Sequence, residues 1–270
     1  MRTPLQNLPS LQITRFESCD STNRQLLTAA DAGAAAGSVY VARTQTAGRG
    51  RRGRTWLAAP GDSLAFSLLW TFPPDPARLS GLSLAVGLAI VRALSDQRLG
   101  KQQNDVELGL KWPNDLLIRR ADGTYAKVGG MLIESTLRSN PAAGKELAVV
   151  IGIGLNCLDA TEIAARITDQ TVGALSELWV QAVSPDALLP IVLEYLCETL
   201  DLFQRAGFAA LQAAWNEHDL WQGQPVALSE AGVVLQQGIC RGVDADGALR
   251  LETISGIERI ITGDVSLRRV

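Results

Sequence analysis

Gly48-Arg49-Gly50-Arg51-Arg52-Gly53-Arg54-Thr55-Trp56-Leu57-Ala58-Ala59-Pro60-Gly61 is the stretch on which the fold class turns. Its first six residues satisfy Gly-x-Gly-x-x-Gly, the phosphate turn of a dinucleotide-binding parallel sheet, but that turn has to open a helix. Here the chain runs quickly to a Pro-Gly turn with no helical signal, which argues against a Rossmann nucleotide site. A protein kinase would also need His-Arg-Asp and Asp-Phe-Gly elements, and neither occurs; nor does a Gly-x-x-x-x-Gly-Lys-Ser/Thr loop. What the stretch does offer is four arginines interleaved with three glycines in a chain of net charge -3. Glycine lets backbone amides approach phosphate oxygens while guanidinium groups supply paired charge-assisted bonds, so the loop suits a polyanion. A solvated basic surface loop is the plainer alternative.

Working outward, Val39 and Val41 alternate as a strand before the loop, and residues 63–72 read as a second strand that Pro73, Pro74 and Pro76 end. Residues 79–99 carry apolar side chains at helical spacing and predict a long buried helix. Three strand-like segments follow, 108–118, 125–137 and 147–156, with turns at Ala121-Asp122-Gly123 and Asn140-Pro141, as in a meander. Upstream, after a polar leader, Thr22 and Gln25 have capping-box spacing and predict a helix from there to about Ala36. Residues 187–205 and 208–218 read as amphipathic helices. From about Gly223 the chain becomes short alternating strands with turns at Glu230-Ala231-Gly232, Asp244 to Gly247 and Ser255-Gly256. The expectation is an α+β body over 1–221, a central mixed or antiparallel sheet with flanking helices, followed by a small β-barrel over 222–270.

A chain of 270 residues that is 47% hydrophobic and 20% charged is neither disordered, collagen-like nor disulfide-stapled. Apolar runs such as 147–155 fall short of the roughly 20 residues that cross a bilayer, and residues 1–16 lack a signal-peptide core, so the expectation is a soluble cytoplasmic protein without a membrane partner. Cys19, Cys157, Cys197 and Cys240 contain no Cys-x-x-Cys pair, which signals neither a disulfide framework nor a zinc site. His218 is the sole histidine, and no Gly-x-Ser-x-Gly elbow accompanies it.

Other residues carry both a chemical and a plain reading. Lys111-Trp112-Pro113-Asn114-Asp115 places a lysine, an amide and a carboxylate on a strand that Pro113 interrupts, although Asn114 and Asp115 also suit a turn. Lys127-Val128-Gly129-Gly130 puts a lysine ahead of a glycine pair, either a place for a ligand against the backbone or a bulge with a snorkelling lysine. Ser21, Thr22 and Asn23 suit a helix cap and equally a small polar ligand. Gly152-Ile153-Gly154-Leu155-Asn156 ends an apolar strand on one amide, suited to a turn or to a purine or ribose.

Taken in order over about 18–270, these five separated motifs resemble biotin-protein ligase, also called biotin-[acetyl-CoA-carboxylase] ligase, in the form lacking the N-terminal DNA-binding domain. The resemblance implies a class II aminoacyl-tRNA synthetase-like catalytic fold with a C-terminal SH3-like barrel. It implies that biotin and ATP, with Mg²⁺, give biotinyl-5'-AMP, and that a lysine of the biotin carboxyl carrier domain of acetyl-CoA carboxylase then takes the biotin. Carried over residue by residue, Ser21, Thr22, Asn23, Gln45, Gly48, Gly50, Gly129, Gly130 and Gly152 would surround biotin. Arg49, Arg51 and Lys127 would touch both biotin and adenylate and offset the charge where the two anions meet. Arg54, Trp56, Asn114 and Asn156 would serve the nucleotide; Asp115 would orient a Mg²⁺ ion or the incoming lysine, with Lys111 beside it. The loop is expected to close over the intermediate and shield it from water.

Where some relatives have a second glutamine this chain has Thr46, and only about 15 residues precede the ligase body, so DNA binding is not expected. A lipoate-protein ligase of the same superfamily is the rival enzyme. An RNA-binding module is the rival from another class, against which the pI of 5.3 and the want of a second basic patch both count. The chain is expected to be a monomer or a homodimer paired through an exposed sheet edge.

Overall fold

A computed structural model of the chain describes residues 9–140, 144–230, 233–261 and 266–269. The turns expected at Asn140-Pro141 and Glu230-Ala231-Gly232 lie partly outside those residues. The main body is a seven-stranded sheet in the order β1 (Gln12–Cys19), β2 (Ser38–Gln45), β3 (Ser63–Phe72), β7 (Gly144–Asn156), β6 (Tyr125–Asn140), β5 (Asp115–Arg119), β4 (Glu107–Lys111). Only β1 and β2 run parallel, joined by helix α1 (Thr22–Asp31); every other neighbouring pair is antiparallel, so the sheet is mixed.

The sheet is buried on both faces at its centre. On β3, Leu64, Phe66, Leu68, Trp70 and Phe72 join the large core with α2 (Leu82–Leu94) and α4 (Pro185–Ala206), while Leu69 packs with Leu26, Ala30, Ala148 and Val150 under α1. Two covered faces explain why β3 reads as one continuous apolar run instead of an alternating one. The segment 76–94 is long and apolar enough to span a bilayer, but 61% of it is buried inside the protein, where α2 packs against α4 and the sheet.

Several sequence expectations are corrected. β1 was not foreseen, and α3 (Thr161–Arg166) follows β7 unannounced. The run 108–118 is two strands, β4 and β5, because Trp112-Pro113-Asn114 forms the tight turn of a hairpin that pairs Lys111 with Asp115. The helix expected over 79–99 is α2 alone with short 3-10 turns on either side, Gly81 at φ 76° starting it and Ser95 ending it. Residues 208–218 likewise divide into a 3-10 turn and α5 (Gln212–Glu217). α1 starts where expected, behind Ser21, but the capping box is not formed: Gln25 Nε2 donates to Asp20 Oδ1 at 2.8 Å, and Thr22 turns to Gln45.

The C-terminal strands, β8 (Pro225–Glu230), β9 (Val233–Val243), β10 (Leu249–Thr253), β11 (Gly256–Ile260) and β12 (Ser266–Arg269), form a five-stranded antiparallel sheet in the order β11-β10-β9-β8-β12. Among the described residues its outer strands β11 and β12 do not pair, so the small antiparallel sheet expected at the C-terminus is present without closure into a barrel among those residues. It docks on the body through Trp112 Nε1, which donates to Gly247 O at 3.1 Å, and through Asn216 Nδ2, which donates to Val243 O at 3.2 Å.

At this junction Asp219 is buried, accepting from the Trp221 amide at 3.0 Å and from the Cys240 thiol at 3.4 Å. Burial outweighs those two donors and pushes its carboxyl up to about 6 from 3.8. A carboxyl raised on folding contributes stability that is fully present below its unfolded pKa near 4 and is lost as pH rises through 6; the change is about 3 kcal/mol. Asp219→Asn is expected to flatten the fall in stability between pH 4 and pH 7, read as denaturation midpoints at both pH values. An unchanged slope would deny Asp219 this part.

Candidate active site

The cleft lies on the α1 face of the large sheet. Strand pairing lines up Ala65, Gly154, Gly130, Asp115 and Lys111 in one row across five strands, and Ser67, Gly152 and Leu132 in a parallel row. The middle of both rows is glycine. A Cβ on Gly152 would stand 2.0 Å from Asn23 Oδ1, and one on Gly154 would stand 2.2 Å from the Trp56 ring. The bare backbone therefore lets a helix side chain and a loop indole lie directly on the sheet.

One end of this trough is polar and uncharged. Gln45 Oε1 accepts from Thr22 N at 2.8 Å and from Thr22 Oγ1 at 3.2 Å. Ser67 Oγ lies 2.8 Å from Thr22 Oγ1 and donates to Asn23 Oδ1 at 2.6 Å; Asn23 Nδ2 donates to Glu134 Oε2 at 3.0 Å. Ser21, Thr22, Asn23 and Ser67 are all buried, so these bonds are made where water does not compete.

The Gly/Arg loop crosses the trough as a strap. Its limbs are joined by Trp56 N donating to Gly48 O at 2.9 Å and Gly50 N donating to Arg54 O at 2.7 Å, and Arg52 takes the left-handed conformation at φ 61°. On one side Arg49 Nη1 is 3.0 Å from Glu134 Oε1; on the other Arg51 Nη1 donates to Asn114 Oδ1 at 3.2 Å, and Asn114 Nδ2 donates to Met131 O at 2.9 Å. Arg54 is exposed on the cleft wall.

The far end is charged. Asp115 sits between two ammonium groups, Lys127 Nζ at 2.5 Å from Oδ1 and Lys111 Nζ at 2.6 Å from Oδ2. Burial alone would raise this carboxyl, but the two lysines overcome it and hold the group far below the usual carboxylate range. Lys111 Nζ also lies 5.2 Å from the centre of the Trp221 ring and Lys127 Nζ 5.9 Å from that of Trp56. On the inner wall Asn156 Nδ2 donates to Gly173 O at 3.1 Å, while Asn156 Oδ1 and Trp56 Nε1 are buried without a hydrogen-bond partner among the described residues. Such orphaned groups suit a polar ligand.

Asp115 does not fit the metal-ligand part expected of it. Both of its oxygens are engaged by cations, and among the described residues no group of three or more His, Cys, Asp or Glu side chains could hold a metal ion. Most residues singled out from the sequence line this one cleft. Gly48 lies beneath the strap, where a Cβ would meet Trp56 O at 2.4 Å, and Gly129 faces the opposite side of β6 toward Leu155 and Leu116. Ser67 and Glu134 were missed. A serine inside a fully buried strand was the available signal for Ser67, since an interior hydroxyl needs a partner; Glu134 sits where β6 begins to expose side chains and gave none.

Residues 16–156 match the biotin/lipoate A/B protein ligase family, and residues 223–268 match the biotin protein ligase C terminal domain. The chain is 32% identical to the biotin--[acetyl-CoA-carboxylase] ligase of Paracoccus denitrificans over 91% of its own length and 96% of that protein. It is also 32% identical to the bifunctional ligase/repressor BirA of Escherichia coli over 92% of its length and 72% of the relative. A biotin protein ligase from Aquifex aeolicus in complex with biotin and ATP superposes with a TM-score of 0.72 at 28% identity, covering 96% of this chain and 99% of that one. With the motif order, the mixed sheet and the glycine-floored trough all in agreement, the chain belongs to the biotin/lipoate A/B protein ligase family.

Proposed function

We propose that this protein activates biotin with ATP to biotinyl-5'-AMP and transfers the biotin to a lysine of a biotin carboxyl carrier domain, that of acetyl-CoA carboxylase. The observation that carries the reading is the single trough joining the uncharged cluster of Thr22, Asn23, Gln45 and Ser67 to the Lys127 ammonium across Gly152 and Gly154. A ureido ring is neutral and presents both donors and acceptors, which matches the first end. A carboxylate at the end of an apolar chain matches the second.

In the first step a carboxylate oxygen of biotin attacks the α-phosphorus of ATP and pyrophosphate leaves. Two anions must approach, and Arg49, Arg51 and Lys127 bring preorganised positive charge to the point where they meet. Trp56 and Asn156 supply the adenylate wall, with Asn114 and Arg54 at its rim. In the second step the carrier amine attacks the acyl carbon, AMP leaves with the bonding pair, and the amine loses a proton. Asp115, so strongly acidic between its lysines, is a poor base; its part is to fix those two ammonium groups at the far end of the trough, and the attacking amine gives its proton to solvent. Magnesium belongs to this reading only as the counter-ion of the nucleotide. We place the division between the ligase body and the C-terminal unit at 221/222, and the reaction in the cytoplasm, where carrier and ATP are found together.

The test is mass spectrometry of a carrier domain incubated with the protein, biotin, ATP and Mg²⁺, with lipoate in a parallel reaction. One added biotinyl mass that depends on ATP is expected. Modification by lipoate alone would move the substrate, and modification by neither would overturn the reading.

A further inference from the structure

Glu134 stands where the uncharged slot meets the strap. It lies on β6 opposite Val150, and its side chain is 22% exposed. Its Oε2 accepts from Asn23 Nδ2 at 3.0 Å, and its carboxylate is bound by Arg49 Nη1 at 3.0 and 3.3 Å. Asn23 is fixed in turn by Ser67, so one hydrogen-bonded chain runs Gln45, Thr22, Ser67, Asn23, Glu134, Arg49. The outer end of that chain is solvated, since Arg49 is 42% exposed. An ion pair of this kind contributes little unless one partner is already held in place. Here the carboxylate is held through Asn23, that is, through the slot.

We propose that Glu134 is the positioning residue that ties closure of the Gly/Arg strap to occupancy of the slot; the inference rests on the biotin-binding reading above. A ligand bonded to Thr22 and Gln45 restricts Asn23 through Ser67, Asn23 restricts Glu134, and Arg49 then meets a preoriented anion at lower entropic cost. Without Glu134 the slot still binds its ligand, but the strap no longer responds to it.

Limited digestion of the full chain with trypsin reads strap closure at Arg51, Arg52 and Arg54. In the parent, saturating biotin is expected to slow cleavage there by about tenfold, the response of a closure equilibrium shifted by one bound state. Glu134→Gln keeps the acceptor for Asn23 and removes the charge, so most of the protection is expected to be lost and, because closure and binding are linked, its affinity for biotin, measured by calorimetry, is expected to fall by about the same tenfold. Biotinyl-AMP is expected to leave this variant about tenfold faster. Arg49→Gln should lose the same protection, and combining the two changes should add little more. Parental protection of Glu134→Gln at saturating biotin would overturn the inference, as would additive losses in the double variant. Failure of the parent itself to bind biotin would instead overturn the proposed function, and this inference with it.

Discussion

Lys127→Ala is expected to slow formation of biotinyl-AMP by about 10²–10³-fold, the scale set by removing one preorganised charge from a reacting centre. The loss has two parts. Lys127 Nζ lies between the Asp115 carboxylate at 2.5 Å and the Trp56 ring at 5.9 Å, which places its charge between the nucleotide wall and the far end of the trough. Removing it withdraws a cation from two anions that must meet. It also leaves the buried Asp115 with Lys111 as its remaining ammonium partner among the described residues, so the carboxylate cancels that lysine and the far end of the trough loses its net positive charge. Biotin-dependent exchange of pyrophosphate into ATP measures the rate, and the KM for biotin is expected to move far less than kcat. Asp115→Asn in the Lys127→Ala background should recover part of the loss. A single variant that turns over like the parent would remove Lys127 from the reaction.

Gly152→Ala is expected to weaken biotin binding by about a hundredfold, since overpacking of this kind costs on the order of 1–3 kcal/mol. The added methyl would fall 2.0 Å from Asn23 Oδ1, so the amide must leave the floor and give up Ser67 and Glu134 together. The double variant Asn23→Ala/Gly152→Ala separates the two consequences: it should regain part of the thermal stability that Gly152→Ala loses and still bind biotin weakly. Titration calorimetry and thermal denaturation together check this. Parental affinity in Gly152→Ala would mean that the slot lies elsewhere.

Much of the architecture was legible because it is written in local pattern. β3 and β7 are apolar runs closed by proline or by a glycine-rich end, and α4 is amphipathic with Ser184 as its cap, donated to by Ala187 N at 3.3 Å. β1 was not legible because it is an edge strand, exposed along most of its length, whose Gln, Thr, Arg, Glu and Ser residues carry no apolar alternation. The β4–β5 hairpin was read as one strand since both limbs are apolar and only Pro113 marks the break. In the site, residues with unusual chemistry announced themselves: the Gly/Arg loop, two lysines, a glycine pair. Ser67 and Glu134 did not, because their importance comes from cross-strand register, which sets Ser67 beside Gly152 and Glu134 beside Val150. Register is a long-range property that a single segment does not display.

The hydrogen-bonded line from Gln45 to Arg49 also constrains how such a slot can change over time. Each member satisfies its neighbour: Thr22 uses Gln45, Ser67 uses Thr22 and Asn23, Asn23 uses Glu134. Replacing any one strands a buried partner, so single substitutions carry a penalty that a second, matched substitution removes. Drift toward a different carboxylic acid would therefore travel through compensated pairs. A library built one position at a time on this scaffold would miss the functional combinations that a library of paired changes at Thr22, Asn23 and Ser67 contains.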